Sequence, residues 1–151
     1  MKDLKLEELD RKILGMLNRD ARMSFRRIAK KLKISATTLY SKVRELEGSG
    51  VIKGYIPLIA KEFVGYKLMV VICLCVKNEK YIEVQKVMAR FPEVQDVYEV
   101  SGEWDLIIVC NFKGRDELLC FLKNALPLSN IERTITHLVL NVVKEERRIH
   151  V

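Results

Sequence analysis

Two clusters in this chain have the residue types and spacing to recognise other molecules. The first is Ser35-Ala36-Thr37-Thr38-Leu39-Tyr40-Ser41-Lys42-Val43-Arg44. On a helix turning about 100° per residue, Thr37, Ser41 and Arg44 share one face, with Thr38 and Tyr40 on its flanks. None is acidic, and each can hydrogen-bond or stack. Such groups suit base edges and phosphate oxygens. Ser35 belongs to the same set and is also a good helix N-cap. Lys42, together with Arg26, Arg27, Lys30 and Lys31 just upstream, would supply phosphate contacts. A merely solvated helix face is the competing reading. The second cluster is the loop Ser101-Gly102-Glu103-Trp104-Asp105, where Gly102 permits a tight turn and close approach of backbone to another group.

Catalytic and metal chemistry find little support. The chain has 4 cysteines, Cys73, Cys75, Cys110 and Cys120, and no Cys-x-x-Cys. Only His137 and His150 stand beside them as possible ligands. The cysteines therefore read as small buried hydrophobes in a reducing compartment, with no metal and no cofactor. A Gly-rich phosphate loop and a Ser/His/Asp set are both missing, so an enzyme is a weak alternative.

The distribution of charge divides the chain. Residues 1–60 hold 14 Lys and Arg against 7 Asp and Glu, while residues 61–151 hold 13 of each. The whole net charge of +7 thus lies in the first part. A basic module attracts phosphate backbone, and the split predicts two domains, 1–60 and 61–151. The apolar run Leu68 to Val76 is too short to span a bilayer, and the N-terminus lacks the apolar core of a signal peptide. The expected location is the cytoplasm.

Three helices must position the first cluster. Leu6, Leu9, Ile13, Leu14 and Leu17 fall at helical spacing. Ser24 caps a second helix with Phe25, Ile28, Ala29 and Leu32 inward, and Ser35 caps a third with Ala36, Leu39, Val43 and Leu46 inward. Only Lys33 and Ile34 intervene, so the last two helices must cross steeply, as in a helix-turn-helix. The β-prone run Val51 to Ile56 follows, which makes a winged-helix type of unit. It continues to Ile59, broken by Pro57, as an edge segment that could pair across a dimer.

The second cluster lies in a different pattern. Strands are expected at 67–76, 94–101, 105–112 and 131–143, with helices at 79–91 and 114–125. Ile82, Val87 and Phe91 are among the apolar positions of the first helix, and Leu118, Leu119 and Leu122 point inward from the second. The order βαββαβ is ferredoxin-like, and the whole chain is α+β. In strand 67–76, Leu68, Val70, Ile72, Leu74 and Val76 occupy one face, and Met69, Val71, Cys73 and Cys75 the other. Helices cover one face of such a sheet, so the second apolar face calls for another cover. A second copy of the chain is the simplest, with the linker strand or a helix of the same chain as the competing reading. RNA-binding modules share this strand order, but they expose aromatic residues where Ile107, Val109 and Asn111 stand here.

Leu9-Asp10-Arg11-Lys12-Ile13-Leu14, Ile28-Ala29-Lys30-Lys31-Leu32, Ser35, Val43, Leu46-Glu47 and Gly50-Val51-Ile52-Lys53-Gly54-Tyr55 together resemble the Lrp/AsnC, or feast/famine, family of transcription regulators. The resemblance covers nearly the whole chain. It departs at Lys33, where the family often has Gly, and at Ala36, where it often has Pro. A left-handed turn at Lys33 would cost about 1–2 kcal/mol relative to Gly. The resemblance implies a regulator of transcription that binds double-stranded DNA and senses a small molecule through its second domain. The expected assembly is a homodimer, extending as far as an octamer. Gly102 and Asp105 match the family's Gly-x-x-Asp loop, near which amino acids or related metabolites bind. Asp105 would then accept an ammonium, and backbone N–H groups would hold a carboxylate. Glu103 is counted with this site, as are Tyr98, Thr134 and Thr136, expected to line the same pocket. Trp104 reads first as a packing residue. A plain hairpin turn is the competing reading of Gly102 and Asp105.

Overall fold

The structure, a computed structural model, describes residues 5–77, 80–126 and 130–151. They divide into two compact units, one of Met1–Leu58 with Lys144–Val151 and one of Ile59–Val143. The tail from 144 onward thus groups with the helical unit rather than with the sheet, unlike the expected division at residue 60.

The first unit contains α1 (Glu8–Arg19), α2 (Phe25–Leu32) and α3 (Ala36–Gly48). Its core is Ile13, Leu17, Ile28, Ala29, Leu39, Val43 and Leu46, drawn from all three helices. Ala36 is exposed, contrary to expectation, because it is the first residue of α3 and lies before the helix reaches the core. Both serine caps form: Ser24 accepts from the Arg27 N–H at 3.4 Å and Ser35 from the Thr38 N–H at 2.9 Å. Between them Lys33 adopts φ 54° and ψ 41°, the left-handed conformation. The tight turn therefore uses a residue with a Cβ where glycine would be unstrained. Residues 51–60 form no ladder among the described residues, so the β-prone run makes no strand within this chain. Ile52 packs against the helical core, and the apolar side chains beyond it are open, with Ile56 81% exposed and Leu58 67%. In the tail, the Ile149 carbonyl accepts from Asn18 Nδ2 at the end of α1.

The second unit begins with a 3-10 turn, Lys61–Val64, and continues β1 (Leu68–Val76), α4 (Tyr81–Met88), β2 (Val94–Glu99), β3 (Leu106–Phe112), α5 (Arg115–Ala125) and β4 (Ile131–Leu138). The sheet order is β2-β3-β1-β4, and every pair is antiparallel. This is the ferredoxin-like βαββαβ arrangement that the pattern predicts. The expected start of α4 at Glu79 lies outside the described residues. Val84 and Met88 are its buried residues, and Ile82 is 48% exposed. In α5 the buried residues are Phe121 and Ala125, while Leu118 and Leu122 flank them and Leu119 is 40% exposed. The core face of α5 is thus set by Phe121, whose ring packs at 5.2 Å from Phe91 and 5.4 Å from Phe112. The last strand stops at Leu138, shorter than the expected 131–143, with one further bond beyond it, from the Val139 N–H to the Met69 carbonyl at 2.9 Å.

The two faces of the sheet differ. Val70, Ile72, Leu74, Val76, Leu106, Ile108, Cys110 and Phe112 pack with the helices. Burial pushes the Cys110 thiol up to about 12. On the opposite face the register aligns two rows across all four strands: Tyr98, Ile107, Cys73, Ile135, and beside it Asp96, Val109, Val71, His137. Cysteines 73 and 110 are buried as expected, but Cys120 is exposed on α5.

Candidate nucleic-acid interface and effector loop

The caps and the crossing of α2 and α3 decide what α3 turns outward. Leu39, Val43 and Leu46 enter the core, so Thr37, Thr38, Tyr40, Ser41 and Arg44 are all exposed. Arg26, Arg27, Lys30 and Lys31 of α2 are exposed as well. The expected base-reading and phosphate-holding groups thus lie in one compact unit, on its two successive helices. Ser35 and Thr38 are partly committed to local structure, since Ser35 Oγ accepts from the Thr38 N–H and lies 2.7 Å from Thr38 Oγ1. Arg44 is held against Tyr40: its Nε donates to the Tyr40 hydroxyl at 3.1 Å, and the guanidinium lies 5.3 Å from the ring centroid.

Lys42 departs from the expected role. Its Nζ lies 2.9 Å from Glu7 Oε2 and 3.4 Å from Asp10 Oδ1. The hydrogen bond to Glu7, reinforced by Asp10, raises the Lys42 ammonium above its ordinary range despite a desolvation cost. Asp10 is only 7% exposed, and its Oδ2 accepts the Glu7 N–H at 3.0 Å. Lys42 therefore fastens α3 to the start of α1, and a phosphate would have to compete with two carboxylates for it. Spacing alone conceals this, because Glu7 and Lys42 are 35 residues apart.

In the second unit the loop after β2 is tied to the sheet. Gly102 has φ 126°, a conformation that disfavours any side chain. A Cβ there would meet open space, so the backbone angle, and not a close neighbour within the chain, calls for glycine. Asp105 Oδ2 accepts the Val76 N–H at 2.7 Å, and the Asp105 N–H donates to the Leu74 carbonyl at 3.0 Å. Its carboxylate is thus already engaged in pinning the loop to the end of β1. Glu103 and Trp104 meet a residue that the sequence reading missed, Arg133. The Arg133 guanidinium lies 2.9 Å from Glu103 Oε1 and 4.4 Å from the Trp104 ring centroid, and it donates to Cys75 Sγ at 3.6 Å. Hydrogen bonds to Cys75 and Glu103 raise Arg133 above its ordinary range. The signal that could have found it is the antiparallel register, which sets Arg133 directly across from Cys75.

Tyr98, Thr134 and Thr136 do not share a pocket within this chain. Tyr98 stands on edge strand β2 and the threonines on edge strand β4, with β3 and β1 between. Three strand spacings are roughly 14 Å. Moreover, Tyr98 is in register with Ile107 on the open face, while Thr134 and Thr136 pair with Leu74 and Ile72 on the helix-covered face. Among the described residues no group of three or more His, Cys, Asp and Glu is placed to hold a metal ion.

Comparison with known proteins agrees with both units. Residues 6–53 match the model of a winged helix-turn-helix DNA-binding domain, and residues 69–149 match that of the Lrp/AsnC ligand-binding domain. An uncharacterised HTH-type transcriptional regulator of Pyrococcus abyssi is 40% identical over 95% of this chain and 98% of its own length. The HTH-type transcriptional regulator FL11 of Pyrococcus horikoshii is 35% identical over 93% of each. Escherichia coli AsnC has the same fold, with TM-score 0.88 and 24% identity over 95% of this chain and 97% of that one. A regulator from Neisseria meningitidis, solved as a complex with L-Met, shares it at TM-score 0.86 and 21% identity, over 96% of each chain. Among the described residues no helix is long and apolar enough to cross a membrane. The α+β architecture, the helix-turn-helix and the ligand-binding domain thus converge: the chain belongs to the Lrp/AsnC family of HTH-type transcriptional regulators, DNA-binding proteins rather than enzymes.

Proposed function

We propose that this regulator reads a specific duplex sequence in the cytoplasm and that an amino acid adjusts its grip. Arg44, Ser41 and Thr37 address base edges from α3, while Arg26, Arg27, Lys30 and Lys31 hold phosphates from α2. The observation that carries this reading is the outward face of α3, wholly exposed and free of acids at those positions. Lys42 is left out of the set because two carboxylates already engage it. Arg44→Ala is expected to cost roughly 1–3 kcal/mol on a specific duplex and to relax sequence preference, whereas Lys30→Ala weakens all duplexes alike and lowers the salt slope by about one. Unchanged preference in Arg44→Ala would remove α3 as the reading element.

The effector reading is supported by the matched ligand-binding domain and by the L-Met complex of the neisserial relative. Beside the loop from Gly102 to Asp105, Glu103 and Arg133 of β4 form a salt bridge at 2.9 Å, which an amino acid would have to open to place its carboxylate on Arg133 and its ammonium on Glu103. A ligand shifts DNA binding only by its difference in affinity for two states, and a coupling of about 1–3 kcal/mol changes DNA affinity some 5–150-fold. Calorimetric screening of the standard amino acids against wild type and Glu103→Gln tests this. Glu103→Gln is a cleaner probe than Asp105→Ala, which would also release the end of β1. Equal binding by both proteins would move the pocket away from this loop.

The open face of the sheet, with Ile107, Val109, Val71 and Ile135 in register across three strands, supports a dimer formed by a second copy of the chain. Such a dimer suits two half-sites on duplex DNA. Sedimentation equilibrium of the full chain reads dimer and octamer directly, and a monomer at micromolar concentration would overturn the assignment.

A further inference from the structure

We infer that Tyr40 is a positioning residue for DNA reading: it fixes the Arg44 guanidinium so that the two terminal amino groups, and not Nε, meet a guanine. The inference rests on the reading of α3 given above and adds to it the orientation of the reading group and the base it selects.

Three contacts in the helical unit form a chain from the core to the surface. Phe25, the first residue of α2, packs against the core. Its ring meets Tyr40 edge-on, at 6.4 Å between centroids and 61° between planes. Tyr40 in turn accepts the Arg44 Nε–H at 3.1 Å and lies beneath the guanidinium. Tyr40 and Arg44 are one helical turn apart, so α3 itself brings them together. An arginine on an open helix face loses much rotamer freedom when it binds. Here one turn of helix and one ring across the helix-turn-helix restrict that freedom in advance.

The consequence is chemical. Guanidinium has five N–H donors, one on Nε and four on the two terminal nitrogens. With Nε satisfied by the Tyr40 hydroxyl, the remaining donors present an end-on fork. That fork matches the two acceptors of guanine in the major groove, O6 and N7. An adenine offers N7 beside a donor and would leave one arm of the fork unpaired. Tyr40 therefore contributes to specificity without needing to touch a base. It is 51% exposed, so its hydroxyl could instead donate to the DNA directly, and the experiment must separate the two.

The test uses the full chain and a duplex selected by wild type from a random pool, with a scrambled duplex as reference. Tyr40→Phe keeps the ring and its contact with Phe25 but removes the acceptor. We expect the ratio of specific to scrambled affinity to fall about tenfold, with the salt slope unchanged. In an Arg44→Ala background the same substitution should change the ratio less than about twofold, since coupled residues are non-additive. Replacing guanines of the selected duplex one at a time by 7-deazaguanine should reveal one position in each half-site that matters to wild type and not to Arg44→Ala. A Tyr40→Phe loss that persists undiminished without Arg44 would mean that Tyr40 touches DNA itself, and would overturn the inference alone. An unchanged ratio in Tyr40→Phe would do the same. An unchanged ratio in Arg44→Ala would overturn both the inference and the reading of α3.

Discussion

Helices α2 and α3 turn Ile28, Leu39, Val43 and Leu46 inward and present Arg26, Arg27, Lys30, Lys31, Thr37, Ser41 and Arg44 outward. The sheet unit covers one face with α4 and α5 and leaves Tyr98 and Ile135 at the ends of an uncovered row, 48% and 41% exposed. In the function proposed above, both units are completed by something outside the chain, but of opposite kind. A polar, cationic face can stay in water until a polyanion arrives. An apolar face is stable in water only when another apolar surface covers it. On the proposed reading, the permanent partner belongs to the sheet and the exchangeable one to the helices.

The strongest way to break this comparison is to damage one core and watch the other. Leu39 has 0% exposure, and Leu39→Ala should cost about 2–5 kcal/mol in the helical unit. Hydrogen exchange should then quicken at α3 amides while those paired between β1 and β3 keep their protection. Equal quickening in both would make the chain one cooperative structure. Next in size is a charge on the open sheet face. Val109→Lys should weaken self-association by at least tenfold, about 1.4 kcal/mol, as read by sedimentation. The same substitution should leave the affinity of each protomer's helices for a phosphate backbone intact. A dimer as tight as wild type would show that the open face is not where the copies meet.

Smaller effects sharpen the picture inside each unit. Lys33→Gly removes the left-handed strain of the tight turn and should stabilise the helical unit by roughly 1 kcal/mol, less the entropy that glycine adds to the unfolded chain. A rise in thermal midpoint without change at the sheet amides is the expected result; a fall would mean that the turn carries no strain worth relieving. The mildest test is thiol chemistry near pH 8. Cys120, exposed on α5, should be alkylated first, whereas Cys110, held at about 12 by burial, should react only when the sheet unfolds. Early labelling of Cys110 would contradict a closed core on that face.

Periodic and local features were legible from residue order alone. The helical stripe, the two serine caps and the alternation of β1 each depend on neighbours within a few positions. Composition located the positive charge, and the order βαββαβ followed from the succession of patterns. Resemblance then carried the family. Only the tertiary structure decided who meets whom. Lys42 reads as a free cation until α1 folds back and offers Glu7 and Asp10. Asp105 reads as a ligand acceptor until the Val76 N–H claims it. Arg133 carries no signal until the register sets it beside Cys75 and under Trp104. Tyr98 and the threonines read as companions until the strand order sends them to opposite edges. The reason is common to all four: charge pairs and hydrogen bonds act over a few ångströms in space, and separation along the chain says little about that distance until the backbone has closed on itself.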